Sequence, residues 1–70
     1  TSAEELSEAR LLMGKLDSLS PRYQEALTLR FVDGLPPKEI AAILGETETN
    51  VSVRIHRALR KLRKVYEGTL

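Results

Sequence analysis

Seventy residues, 41% hydrophobic and 30% charged, suffice for one small domain whose core is only just large enough to hold it folded. With no cysteine and a single histidine, disulfide staples, thiolate metal sites and histidine clusters are excluded, and no apolar run approaches the roughly 20 residues of a membrane span. The formal charge of +1 conceals a polarity: residues 1–49 carry nine acids against five bases, whereas residues 50–70 carry Arg54, Arg57, Arg60, Lys61, Arg63 and Lys64 against Glu67 alone. One end of the chain is therefore a concentrated basic patch. The opening Thr1-Ser2-Ala3-Glu4-Glu5, with neither an initiator methionine nor the features of a signal peptide, is expected of a single domain, residues 1–70, that is part of a longer polypeptide.

Glycine and proline punctuate the chain, and between them apolar residues recur at helical spacing, so the expected fold class is all-α with four helices, about 3–16, 21–32, 37–44 and 48–66. In the first, Leu6, Ala9, Met13 and Leu16 fall on one stripe, Ser2 precedes Glu5 at the capping-box spacing, and Gly14 weakens the last turn. The second has Ser20 as N-cap, Pro21 in the first helical position and Gly34 to end it in a left-handed conformation. Its inward stripe is Tyr23, Ala26, Leu27 and Phe31. The third is short, opens with Pro37, turns Ile40, Ala41 and Leu44 inward and stops at Gly45.

Thr47 is the natural N-cap of the fourth helix, which has no Gly or Pro before Gly68. Stepping about 100° per residue gathers Val51, Ile55, Ala58, Leu59, Leu62, Val65 and Tyr66 on one arc. Thr49, Val53, His56, Arg57, Arg60 and Lys64 lie opposite. A short helix, a tight turn at Gly45-Glu46-Thr47 and a long helix that is small and polar at its start and then basic make the pattern of a helix-turn-helix. Side chains at the start of the second helix reach base edges, and arginines further along meet phosphates.

The run Leu19-Ser20-Pro21-Arg22-Tyr23-Gln24-Glu25-Ala26-Leu27-Thr28-Leu29-Arg30-Phe31-Val32-Asp33-Gly34-Leu35, then Lys38-Glu39-Ile40-Ala41-Ala42-Ile43-Leu44-Gly45, Asn50-Val51, Arg54-Ile55-His56-Arg57-Ala58 and Leu62-Arg63, resembles region 4 of bacterial RNA polymerase sigma factors. Within that family it is most similar to the extracytoplasmic-function group, and the resemblance covers about residues 16–66. It implies a four-helix domain of a cytoplasmic protein whose helix-turn-helix reads the −35 element of promoter DNA in transcription initiation. Another surface would bind the flap of the core RNA polymerase β subunit, and an anti-sigma factor can mask such surfaces. Carried over by position, DNA contacts would fall on Thr49, Asn50, Ser52, Val53, His56 and Arg57, with Lys38 and Arg22 meeting the backbone; Arg60, among the basic residues further along the outward face, is expected to meet phosphate by its charge and place on the helix. The sequence departs from the family pattern in three places. Pro36 stands where Ser or Thr commonly caps the third helix, Ser52-Val53 stands where a basic residue followed by Ser is common, and Leu59 replaces a frequent arginine.

Plainer roles suit several of these residues. Arg54 lies near the edge of the buried arc, where an ion pair with Glu39 and a phosphate contact both fit. Lys61 and Arg63 read as solvated flank residues, and His56 is too isolated for a catalytic or metal role. No Ser, Asp, Glu and His form a catalytic set by spacing and there is no glycine-rich phosphate loop, so neither enzyme nor cofactor is expected. Two alternatives accompany promoter reading: a sigma-like protein-interaction module without DNA reading, and the output domain of a LuxR-type regulator, which also carries a Lys-Glu-Ile-Ala segment.

Overall fold

The computed structural model describes residues 13–68, and among them every regular element is helical, as the all-α expectation requires. Leu6, Ala9 and the Ser2/Glu5 capping box of the first expected helix lie outside the described residues. The described end of that helix, Met13–Ser18, is a 3-10 helix and not the α-helical turn expected. Gly14 costs helix stability there, and the Ser18 hydroxyl donates to the Lys15 carbonyl at 2.7 Å, a local bond that competes with α-helical pairing. The inward stripe survives the change, because Met13 and Leu16 still pack against the core.

Helix α1, Pro21–Leu27, is the second expected helix. Ser20 takes the extended cap conformation but makes no side-chain cap bond. Its carbonyl instead accepts the Gln24 N–H at 3.0 Å, while the Gln24 side-chain amide donates to the Leu19 carbonyl at 2.7 Å. The helix then widens into a π turn, Thr28–Val32, rather than remaining regular to Val32. Gly34 adopts φ +74° and returns the chain, so that the Asp33 N–H reaches the Thr28 carbonyl and the Leu35 N–H reaches that of Leu29, each at 3.0 Å. Two carbonyls that a helix end leaves open are thereby satisfied. Arg30 donates to the Leu35 carbonyl at 3.2 Å, and Leu29, Phe31 and Leu35 pack against the core.

Helix α2 is Pro37–Leu44, the bounds expected from sequence. Pro36 has no side chain with which to cap it, and its carbonyl serves both Glu39 and Ile40 N–H groups, at 3.0 and 3.1 Å. Gly45 ends the helix at φ +68°, and the Glu46 N–H closes back on the Ala41 carbonyl at 3.0 Å. Helix α3, Glu48–Gly68, begins as expected at Thr47, whose Oγ1 accepts the Asn50 N–H at 3.1 Å. It runs two residues beyond Tyr66, since no helix breaker precedes Gly68.

Helix α3 packs against α1, α2 and the 3-10 segment. Of its expected arc Val51, Ile55, Ala58 and Leu62 are buried, and Leu59 and Tyr66 flank them. They meet Ala26 and Leu27 of α1, Ile40 and Ala41 of α2, and Leu19, whose place in the core comes from the turn in which its N–H bonds the Leu16 carbonyl. Each fully buried Leu, Ile or Val here contributes about 1.5–3 kcal/mol through removal from water. Val51 and Leu62 of α3 are two of the four such side chains, with Leu27 and Ile40, so the packing that stabilises the domain also sets which face α3 presents outward.

Candidate nucleic-acid interface

The buried arc of α3 fixes the rest by geometry. With Val51, Ile55, Ala58 and Leu62 inward, Thr49, Asn50, Ser52, Val53, His56, Arg57 and Arg60 turn out and are all exposed. Arg22 on α1 and Lys38 on the first turn of α2 are exposed as well. Every residue expected to meet DNA is therefore at the surface, on the helix-turn-helix or the helix before it.

Two clefts organise part of this set. The larger, about 330 Å³, is lined by Tyr23, Glu46, Asn50, Val53, Arg54 and Arg57. The smaller, about 190 Å³, continues along α3 between Tyr23, Arg57, Arg60, Lys61 and Lys64. Asn50, Val53, Arg57 and Arg60 are thus brought together, with Arg57 shared by both clefts. Thr49, Ser52, His56, Arg22 and Lys38 line neither.

Arg54 is the correction to the sequence reading. It is only 14% exposed and pairs with Glu46 in the turn, not with Glu39. The pair is a two-pronged fork, Nη1 donating to Glu46 Oε2 at 2.6 Å and Nη2 to Oε1 at 2.5 Å. The hydrogen bond from Arg54 holds the Glu46 carboxyl below its ordinary value of 4.5 against an opposing desolvation, and the charges of Arg54 and then Arg22 add to the lowering. Glu46 in turn raises the pKa of Arg54 further, helped by the charge of Glu25. The cation nearest the turn is thereby neutralised within the domain, while Arg57 and Arg60 stand one and two turns further along the outward face.

Lys61 differs from expectation too: its ammonium lies over the Tyr23 ring, 5.3 Å from the centroid. Tyr23 was expected in the core stripe, but it is half-buried and forms a wall common to both clefts. Tyr23, Glu46, Lys61 and Lys64 are the residues that sequence reasoning did not place at the site. Only the position of Lys64 opposite the core arc signalled it; for the others the partners come from separate elements. Among the described residues, no three His, Cys, Asp or Glu side chains gather as metal ligands, and no helix is long and apolar enough to cross a membrane.

The chemistry of this face suits a polyanion with readable edges. Small and amide side chains occupy the start of α3, where a helix seated in a major groove meets bases, and basic groups follow at one-turn intervals. Residues 9–62 match the family described as Sigma-70, region 4. The chain is 39% identical over 62 residues to the ECF RNA polymerase sigma factor BldN of Streptomyces coelicolor, covering 89% of this chain and 23% of that protein. It is 44% identical over 48 residues to the RNA polymerase sigma factor SigV of Bacillus subtilis, covering 69% and 29% respectively. To the ECF RNA polymerase sigma factor SigE of Mycolicibacterium smegmatis it is 42% identical over 52 residues, 74% of this chain and 20% of that one. The chain spans less than a third of the length of each of these relatives. No solved structure matches it at comparable stringency. The helix-turn-helix built by α2 and α3 and the matched residues agree with the resemblance first carried by Leu29-Arg30-Phe31, Glu39-Ile40-Ala41 and Arg54-Ile55-His56-Arg57-Ala58: the chain belongs to the Sigma-70, region 4 family.

Proposed function

We propose that this chain is the promoter-reading domain of a sigma factor of the extracytoplasmic-function type, binding the −35 element in duplex DNA during transcription initiation. The observation that carries the proposal is the joint exposure of Asn50, Val53 and Arg57 around one cleft at the start of α3, on a helix whose opposite arc is buried. Phosphate contacts from Arg22, Lys38 and Arg60 seat the motif, Thr49, Asn50, Ser52 and Val53 face bases, and His56 and Arg57 read or clamp the groove edge. The domain acts by position and not by chemistry of its own, in the cytoplasm, as part of a longer protein in which these 70 residues form one domain. Its protein partner is core RNA polymerase through the β flap, with an anti-sigma factor as the regulator that covers the same surfaces. Exposed Val32 and Ile43, at 66% and 60%, supply apolar area for such contacts outside α3.

The test is duplex binding measured against salt. With about four phosphates neutralised, log K falls against log salt with a slope of roughly −3 to −4. Arg57→Ala should cost about 1–3 kcal/mol at a single base pair of the selected site. Duplex affinity that is undetectable or indifferent to salt would overturn DNA reading and leave the protein-interaction module.

A further inference from the structure

The Arg54–Glu46 fork sits within the face proposed to meet DNA. Both residues line the larger cleft beside Asn50, Val53 and Arg57. Arg54 follows Asn50 by four positions and precedes Arg57 by three, so it stands on the same side of α3 as two of the reading residues. A guanidinium there has two anionic acceptors available to it, a DNA phosphate or the carboxylate of Glu46, and both take it by the same two-pronged geometry. In the free domain Glu46 already occupies both prongs. Its backbone is anchored too, because the Glu46 N–H is bonded to the Ala41 carbonyl in the Gly45 turn, so the carboxylate is held beside Arg54 and not on a free loop.

Resting on the DNA-binding reading above, we infer that Glu46 is an internal stand-in for a phosphate: it occupies Arg54, withholds one cation from the nucleic acid and so keeps sequence-independent affinity low. Contacts to phosphate add affinity for every sequence alike, whereas base contacts separate one site from another. A carboxylate that cancels one phosphate-seeking arginine therefore lowers affinity for every sequence by a similar factor and leaves discrimination between sites to the base contacts. Glu46 in this sense sets the sequence-independent part of the affinity, and Arg54 is a positioning residue that ties the turn to the start of α3.

The experiment measures binding of the chain to a duplex of mixed sequence across a salt series, for the parent, Glu46→Gln, Arg54→Gln and the double variant. Glu46→Gln keeps an acceptor on the fork but removes the charge, so Arg54 becomes available to one further phosphate. Its slope of log K against log salt should steepen by about 0.9, which amounts to about 3.5-fold more affinity lost than by the parent between roughly 50 and 200 mM salt. Arg54→Gln should leave the parental slope unchanged, and the double variant should return to it. A Glu46→Gln slope equal to that of the parent, in protein whose helical circular dichroism is intact, overturns the inference. So does an Arg54→Gln slope flattened by about 0.9, because Arg54 would then already be on a phosphate; this arm decides the matter even where Glu46→Gln does not fold. A parent with no salt-dependent duplex binding is a separate result, which removes the DNA reading and this inference with it.

Discussion

The Lys61 ammonium rests 5.3 Å from the centre of the Tyr23 ring and so joins the basic stretch of α3 to the first turns of α1. One residue had been expected to be solvated and the other buried; the contact makes each serve both roles. The ring keeps one face towards the domain, and the lysine packs over it while remaining at the surface. Because Tyr23 walls both clefts, this contact also shapes the outward face of α3.

For an exposed pair of this kind, Lys61→Ala should lower unfolding stability by about 0.5–1 kcal/mol. A double-mutant cycle with Tyr23→Leu, read by urea denaturation, separates this coupling from the burial of the ring. Additive single effects would mean that the two side chains are neighbours without mutual stabilisation.

Acid should weaken the turn through Glu46. Its folded-state pKa lies below the ordinary 4.5 because Arg54 hydrogen-bonds the ionised form, so the contribution of the pair is fully present above that value and is lost as pH falls through and below it. Thermal melting followed from about pH 6 down to about pH 3 should therefore fall more steeply for the parent than for Glu46→Gln. Parallel curves for the two proteins would show that the fork contributes nothing to stability.

The Thr47 cap orders the first turn of α3, the turn that carries Thr49 and Asn50. Removing its oxygen by Thr47→Ala leaves the Asn50 N–H without the 3.1 Å acceptor and should cost about 0.5–2 kcal/mol. Hydrogen exchange at the start of α3 should quicken in this variant, while Thr47→Ser should retain protection. Equal exchange in all three proteins would place the stability of that turn elsewhere.

Much of the fold is visible in local chemistry. Pro37 and Gly45 bound α2 at the residues where it begins and ends, Thr47 caps α3, and spacing near 3.6 places Val51, Ile55, Ala58 and Leu62 on the buried side. The same spacing leaves Asn50, Val53, Arg57 and Arg60 outward, so this part of the candidate interface follows from the sequence alone. Each of these features depends on a residue and its neighbours within about one helical turn, which is the range over which capping and periodicity act.

Tertiary structure decided which charges remain available on that face. Sequence spacing offers Glu39 as an ion-pair partner for Arg54, and only the turn after Gly45 selects Glu46, eight positions away. Lys61 meets Tyr23 because α1 lies against α3, and Leu19 enters the core because the 3-10 segment folds under it. The π turn at Thr28–Val32 likewise reflects the return of Leu35 through Gly34 rather than any periodic signal. Periodicity states which side of a helix is buried; which side chain of another helix stands opposite depends on how the helices cross, and the order of residues along one chain does not contain that angle.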